Sequence, residues 1–108
     1  MMNALKSVLL SIPIAAATMT PLPLLAMDGA ELYVTKTCVA CHGKDADTPI
    51  LPIYPKLAGQ SPDYAYNQMV DIKSGARDNG MTAAMRGVMH LVTEEEMRVI
   101  ADWLATLK

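Results

Sequence analysis

Apolar residues recur at helical spacing in three stretches of this 108-residue chain, and no stretch alternates at the two-residue spacing of a strand. Ala65, Met69 and Ile72 fall on one face of a helix that opens with Ser61-Pro62, an N-cap followed by a first-turn proline. That helix should run to about Lys73, with Ser74-Gly75 as its stop. Met97, Ile100, Ala101 and Leu104 share one face of a second helix, running to about Leu107. Thr93-Glu94-Glu95-Glu96 starts it as a capping box, with Glu96 at the reciprocal position and the acidic run facing the helix's positive end. Met81, Met85 and Met89 recur at i, i+4 and i+8. Asp28 can cap a shorter helix from about Gly29 through Thr37 into Cys38-Val39-Ala40-Cys41-His42. Gly43 to Gln60 is too rich in Pro, Asp and Gly for regular structure, and a loop that long in a compact domain usually has a task. The pattern predicts an all-α domain with long loops.

The N-terminus carries a different pattern. A short basic start, Met1 to Lys6, leads into the uncharged, largely apolar run Ser7 to Ala17 and then a proline-containing stretch ending in Leu24-Leu25-Ala26. This is the layout of a secretory signal peptide, with cleavage expected after Ala26. An uncleaved membrane anchor is the alternative. Pro13, Pro21 and Pro23 interrupt the segment, and the unbroken run falls short of the roughly 20 residues that a spanning helix needs. Residues 27–108 then form a single small domain of 82 residues. Loss of Lys6 leaves eight basic against eleven acidic side chains, a balance of −3. Nucleic-acid binding wants clustered positive charge, so that class is set aside. A domain this short buries only about 60% of its unfolded surface and usually needs a staple.

The staple is visible in the chemistry. Cys38-Val39-Ala40-Cys41-His42 contains the chain's two cysteines, three residues apart and followed at once by an imidazole. This is the attachment pattern of a c-type haem. Each thiol can add across a haem vinyl group, the spacing on one helical turn matches the separation of the vinyls, and His42 then supplies the proximal nitrogen. Other readings are weaker. Cys38, Cys41, His42 and His90 count to the four ligands of a structural zinc, but adjacent Cys41 and His42 can hardly both face one tetrahedral ion. A thioredoxin-like pair belongs in a βαβ unit, and no β-rich run precedes Cys38. A plain disulfide in an exported protein is the remaining bland reading. The methionines offer a distal thioether, a soft ligand for haem iron. A Met stripe at helical spacing is usually core filler, so two of the three should be that. His90 as the ligand, and a copper(I) site built from all three thioethers, stay open on the residues alone.

Several further runs belong with the motif. They are Gly29 with Tyr33, Gly43 after His42, Tyr54-Pro55-Lys56-Leu57-Ala58-Gly59-Gln60, Tyr64 with Gln68, Lys73-Ser74-Gly75-Ala76-Arg77, and Ile100-Ala101-Asp102-Trp103-Leu104. Together they resemble a class I c-type cytochrome, and are most similar to single domains of the cytochrome c-four and c-five-fifty-three type. The resemblance covers nearly all of residues 28–108 and implies a small fold whose N- and C-terminal helices cross, wrapped around one covalent haem c. It implies that the Pro55 carbonyl receives the Nδ1–H of His42. It also implies that Gly29 lets the crossing helices approach, with Tyr33 and Trp103 packed around them. The family's axial methionine lies shortly before the last helix, which points to Met85, with Met81 and then Met89 behind it. Arg77 is a partner for a haem propionate or simply solvated.

The activity so implied is one-electron transfer between redox proteins, a dehydrogenase or reductase as donor and an oxidase or other acceptor, in the periplasm and without catalysis of its own. The exposed edge near Val39, Ala40 and the Met81–Met89 segment is where partners should meet the chain, through a small and transient interface. Two other classes remain open. A haem subunit of a periplasmic dehydrogenase would co-purify with its partner. A haem enzyme or gas-binding protein with a labile sixth ligand would bind carbon monoxide when reduced.

Overall fold

The computed structural model describes residues 27–108, and among them the chain forms five helices and no strand. These are α1 (Gly29–Thr35), α2 (Val39–His42), α3 (Pro62–Ser74), α4 (Thr82–Met89) and α5 (Glu94–Ala105). The expected leader and its cleavage point lie outside the described residues.

Local signals set most of the boundaries. Asp28 Oδ1 accepts the Ala30 N–H at 2.9 Å and opens α1. Ser61 Oγ accepts the Tyr64 N–H at 3.4 Å, Pro62 takes the first helical position of α3, and Gly75 ends that helix in the left-handed region at φ 87°. Both halves of the α5 capping box form: the Glu96 N–H donates to Thr93 Oγ1 at 3.1 Å, and the Thr93 N–H donates to Glu96 Oε1 at 2.9 Å. Two boundaries differ from expectation. The first helix stops at Thr35 rather than running through Thr37 into the cysteines, because Thr37 adopts φ 68° and breaks the helical path. The chain restarts as the single turn α2. The last helix stops at Ala105, short of Leu107, as the Thr106 hydroxyl folds back onto the Trp103 carbonyl at 2.6 Å.

α5 packs against both α1 and α3, and α4 packs against α3. The expected apolar faces are the ones buried: Ala65, Met69 and Ile72 from α3, and Met97, Ile100, Ala101 and Leu104 from α5. Burying each of the larger side chains contributes about 1.5–3 kcal/mol. Where α1 meets α5, Gly29 lies so near Trp103 that a Cβ would come within 2.3 Å of the Trp103 Cβ. The Tyr33 and Trp103 rings pack at the same crossing, with centroids 5.2 Å apart.

The turn between α4 and α5 is held from two sides. Lys36, beyond α1, donates to the Leu91 carbonyl at 3.0 Å and pairs with Glu96 at 3.2 Å. Lys73, in the last turn of α3, donates to the Val92 carbonyl at 2.6 Å. Carbonyls following a helix carry partial negative charge and lack intrahelical partners, so cations suit them. The corner is thereby fixed relative to α1 and α3.

Candidate haem site

A cavity of about 370 Å³ opens between these elements, and the motif forms one of its walls. Cys38 has right-handed helical geometry and Val39–His42 completes the turn, so the two sulfurs are presented from one helical turn as their spacing predicts. Gly43 follows at φ 88°, and a Cβ there would meet the Thr48 carbonyl oxygen at 2.1 Å. Only glycine lets the chain turn away so sharply beneath the imidazole.

His42 is buried, and its Nδ1 lies 2.9 Å from the Pro55 carbonyl oxygen. Nδ1 carries the proton in that contact, which leaves Nε2 as the nitrogen with a free lone pair. Burial lowers the imidazole's proton affinity, and the Pro55 carbonyl acts the other way without overcoming it. His42 is therefore held in the neutral form that a metal requires. Burial also pushes the Cys38 thiol up to about 11. Tyr33 lines the same wall and donates its hydroxyl hydrogen to the Gly43 carbonyl, with its own pKa pushed up to about 12 by burial and by the neighbouring Cys38 and Asp45.

The three methionines part company. Met89 is fully buried and serves as core filler at the cavity lining. Met81 is not filler: it is 53% exposed, at the cavity's rim. Met85 is half-buried and lines the cavity with Ala84 and Val88. His90 is exposed and is not among the lining residues. Arg77 does line the cavity, and its guanidinium is already engaged, donating to Gln68 Oε1 at 2.9 Å. Among the described residues, no three His, Cys, Asp or Glu side chains gather as they would around a zinc ion.

Some of the site escapes a reading of the sequence. The loop from Gly43 to Gln60 is irregular as expected, yet it is not loosely draped. Asp45 Oδ1 accepts the N–H groups of Asp47 and Thr48, which holds its carboxyl below the usual range. Ala46 is fully buried at φ 58°, and its carbonyl accepts the N–H groups of Leu57 and Ala58. Asp45 is a weak turn signal; a left-handed, buried alanine has none. Ile53 and Tyr54 line the cavity, and Ile50, Leu51 and Ile53 are exposed apolar side chains of this loop.

The donors suit a c-type haem. Two thiols lie one turn apart, a neutral imidazole has its outer nitrogen occupied, a thioether lines the same cavity, and buried apolar side chains from α3, α4 and α5 complete the walls. These features define a protein that carries a covalently attached redox group. A family model described as Cytochrome c matches residues 26–108, and the chain belongs to that family, with haem c as its cofactor and the class I fold. It is 30% identical over 83 residues to cytochrome c-553 of Nitratidesulfovibrio vulgaris, a match covering 77% of this chain and 79% of that protein. It is 39% identical over 71 residues to cytochrome c4 of Pseudomonas aeruginosa, covering 66% of this chain but only 33% of the relative. A thiosulfate dehydrogenase electron acceptor of Stutzerimonas stutzeri is 30% identical over 99 residues, covering 85% of this chain and 44% of that protein. The chain thus spans most of one relative and less than half of the other two. Haem-based electron transfer is its function, and its relatives are carriers rather than enzymes.

Proposed function

We propose that the chain is an exported one-electron carrier whose haem iron is held between His42 and Met85, and that it shuttles electrons between redox proteins in the periplasm. The haem supplies an iron that alternates between the ferric and ferrous states. The chain's residues hold that iron and set its potential. Cys38 and Cys41 would anchor the group, Pro55 orients the His42 ring that would bind its iron, and Met85 would supply a thioether ligand. Thioether ligation favours the ferrous state relative to a second imidazole and raises the potential. With both positions filled, small molecules are kept from the metal. The observation that carries the reading is the shared cavity: His42, with its Nδ1 committed to Pro55, and a half-buried Met85 both line it. The basic start at Lys6, the apolar run after it and Ala26 support export, with the mature chain starting at Met27.

The donor or acceptor is a redox protein, and the relative named as an electron acceptor of thiosulfate dehydrogenase supports a dehydrogenase as donor. Among the described residues no helix is long and apolar enough to cross a membrane. A second reading, a permanent haem subunit of a periplasmic dehydrogenase, draws support from the exposed Ile50, Ile53 and Met81, since apolar surface of that kind suits a lasting interface. One preparation tests both. Isolated from the periplasm of its own host, the chain should begin at Met27, run as a free protein and show a reversible one-electron couple. Met85→His should lower that potential. Recovery in a stoichiometric complex favours the subunit reading, and an unchanged potential in Met85→His contradicts the ligand assignment.

A further inference from the structure

Arg86 follows Met85 in α4 and makes two contacts that no neighbouring side chain duplicates. Its Nε donates to the Ile72 carbonyl at 3.3 Å, and its Nη2 donates to Asp78 Oδ1 at 2.7 Å. Ile72 lies in the last turn of α3, and its carbonyl, which also accepts the Gly75 N–H at 3.3 Å, carries the partial negative charge of a helix C-terminus. Asp78 belongs to the segment that leads from α3 into α4. One guanidinium therefore joins α4 both to the end of α3 and to its own approach. Other polar support for α4 lies at its two ends. Met81, the N-cap, makes no capping bond through its side chain, although Thr82 donates its hydroxyl hydrogen to the Asn79 carbonyl at 2.7 Å. At the far end, Lys36 and Lys73 act on the carbonyls of Leu91 and Val92, beyond the helix.

We propose that Arg86 is the positioning residue for the distal ligand, fixing α4 against α3 at the position beside Met85 and so setting the depth at which the thioether meets the iron. The inference rests on Met85 being that ligand. The planar fork of arginine reaches both anchors at once, whereas lysine can satisfy one. Asp78 is 68% exposed, so its ion pair alone contributes little. The carbonyl contact and the double attachment carry the effect.

The test is the rate at which imidazole enters the ferric holoprotein, because entry waits on departure of the thioether. Arg86→Gln should speed entry on the order of tenfold, the scale of losing hydrogen bonds from a charged donor. Arg86→Lys should recover part of the difference, and Asp78→Asn should move the rate the same way by less. Arg98→Gln is the control. It breaks the 2.9 Å pair with Asp63 and the stacking of Arg98 over the Tyr66 ring at 4.0 Å, and should lower global stability without speeding entry. Wild-type rates in Arg86→Gln overturn the inference, as does equal acceleration in Arg86→Gln and Arg98→Gln at equal loss of stability. If Arg86→Gln does not fold, Arg86→Lys decides, and an unchanged rate there overturns it. Met85→Ala separates the two claims. It should admit imidazole with no slow step; if it does not, the ligand assignment fails. If it does while Arg86→Gln behaves as wild type, only the role of Arg86 falls.

Discussion

Gly29 and Gly87 are both helical glycines, and their surroundings predict opposite responses to the same substitution. A Cβ on Gly29 would sit 2.3 Å from the Trp103 Cβ and 2.9 Å from the Val99 carbonyl oxygen. Neither is the far end of a flexible chain, so α1 and α5 must separate. Gly29→Ala should cost about 1–3 kcal/mol, the usual penalty of overpacking. For a domain of this size each kcal/mol lowers the thermal midpoint by roughly 4–8 °C. A Cβ on Gly87 meets nothing within 4 Å. Gly87→Ala should therefore stabilise the protein by about 0.5–1 kcal/mol, through the helix preference of alanine. Thermal unfolding of the two variants followed by circular dichroism checks both signs. A stable Gly29→Ala would mean the crossing is looser than these distances require.

At the scale of elements, the α5 start couples a cap to a long-range tether. Burial acts to raise the Glu96 carboxyl, but the Thr93 N–H and the Lys36 ammonium outweigh it and hold the group below its ordinary range. A carboxyl lowered in the folded state stabilises the fold above its unfolded pKa of about 4.3, and that contribution disappears as pH falls through the lower folded value. Glu96→Gln can still close the capping box but carries no charge for Lys36. The variant should be less stable than wild type at pH 6, and the difference should shrink as denaturant titrations move below pH 4. A pH-independent difference would show that the charge contributes nothing. Thr93→Ala should cost about 1 kcal/mol at any pH, because it removes the cap itself. The Thr93 and Glu96 cap was legible in the sequence because both partners lie within one turn. The same holds for Ser61-Pro62 and for Gly75. The break at Thr37, the buried left-handed Ala46 and the reach of Lys36 and Lys73 to the α4–α5 corner were not. Those features answer to residues distant in the chain, and neither threonine nor alanine signals a positive φ.

The motif itself was the most legible part of the whole molecule, since Cys38, Cys41 and His42 need only their spacing to declare the chemistry. What spacing could not supply was how a half-buried Met85 and a half-exposed Met81 come to line the same cavity. That arrangement depends on α4 docking against α3, which no local pattern encodes. The 82 described residues, with a core that surrounds a cavity of about 370 Å³, have little margin without a group to fill it. The Cys38→Ala, Cys41→Ala double variant should consequently lack a cooperative unfolding transition. A native-like, cooperatively melting apoprotein would contradict that expectation.

His42 and Met85 as the two iron ligands of one covalently held haem are what the proposed function stands on. The most direct measurement is the thioether-to-iron charge-transfer absorption of the ferric protein in wild type, Met81→Ala and Met85→Ala. The band should be present in wild type and in Met81→Ala and absent from Met85→Ala. Its survival in Met85→Ala, or its loss in Met81→Ala, would contradict Met85 as the ligand.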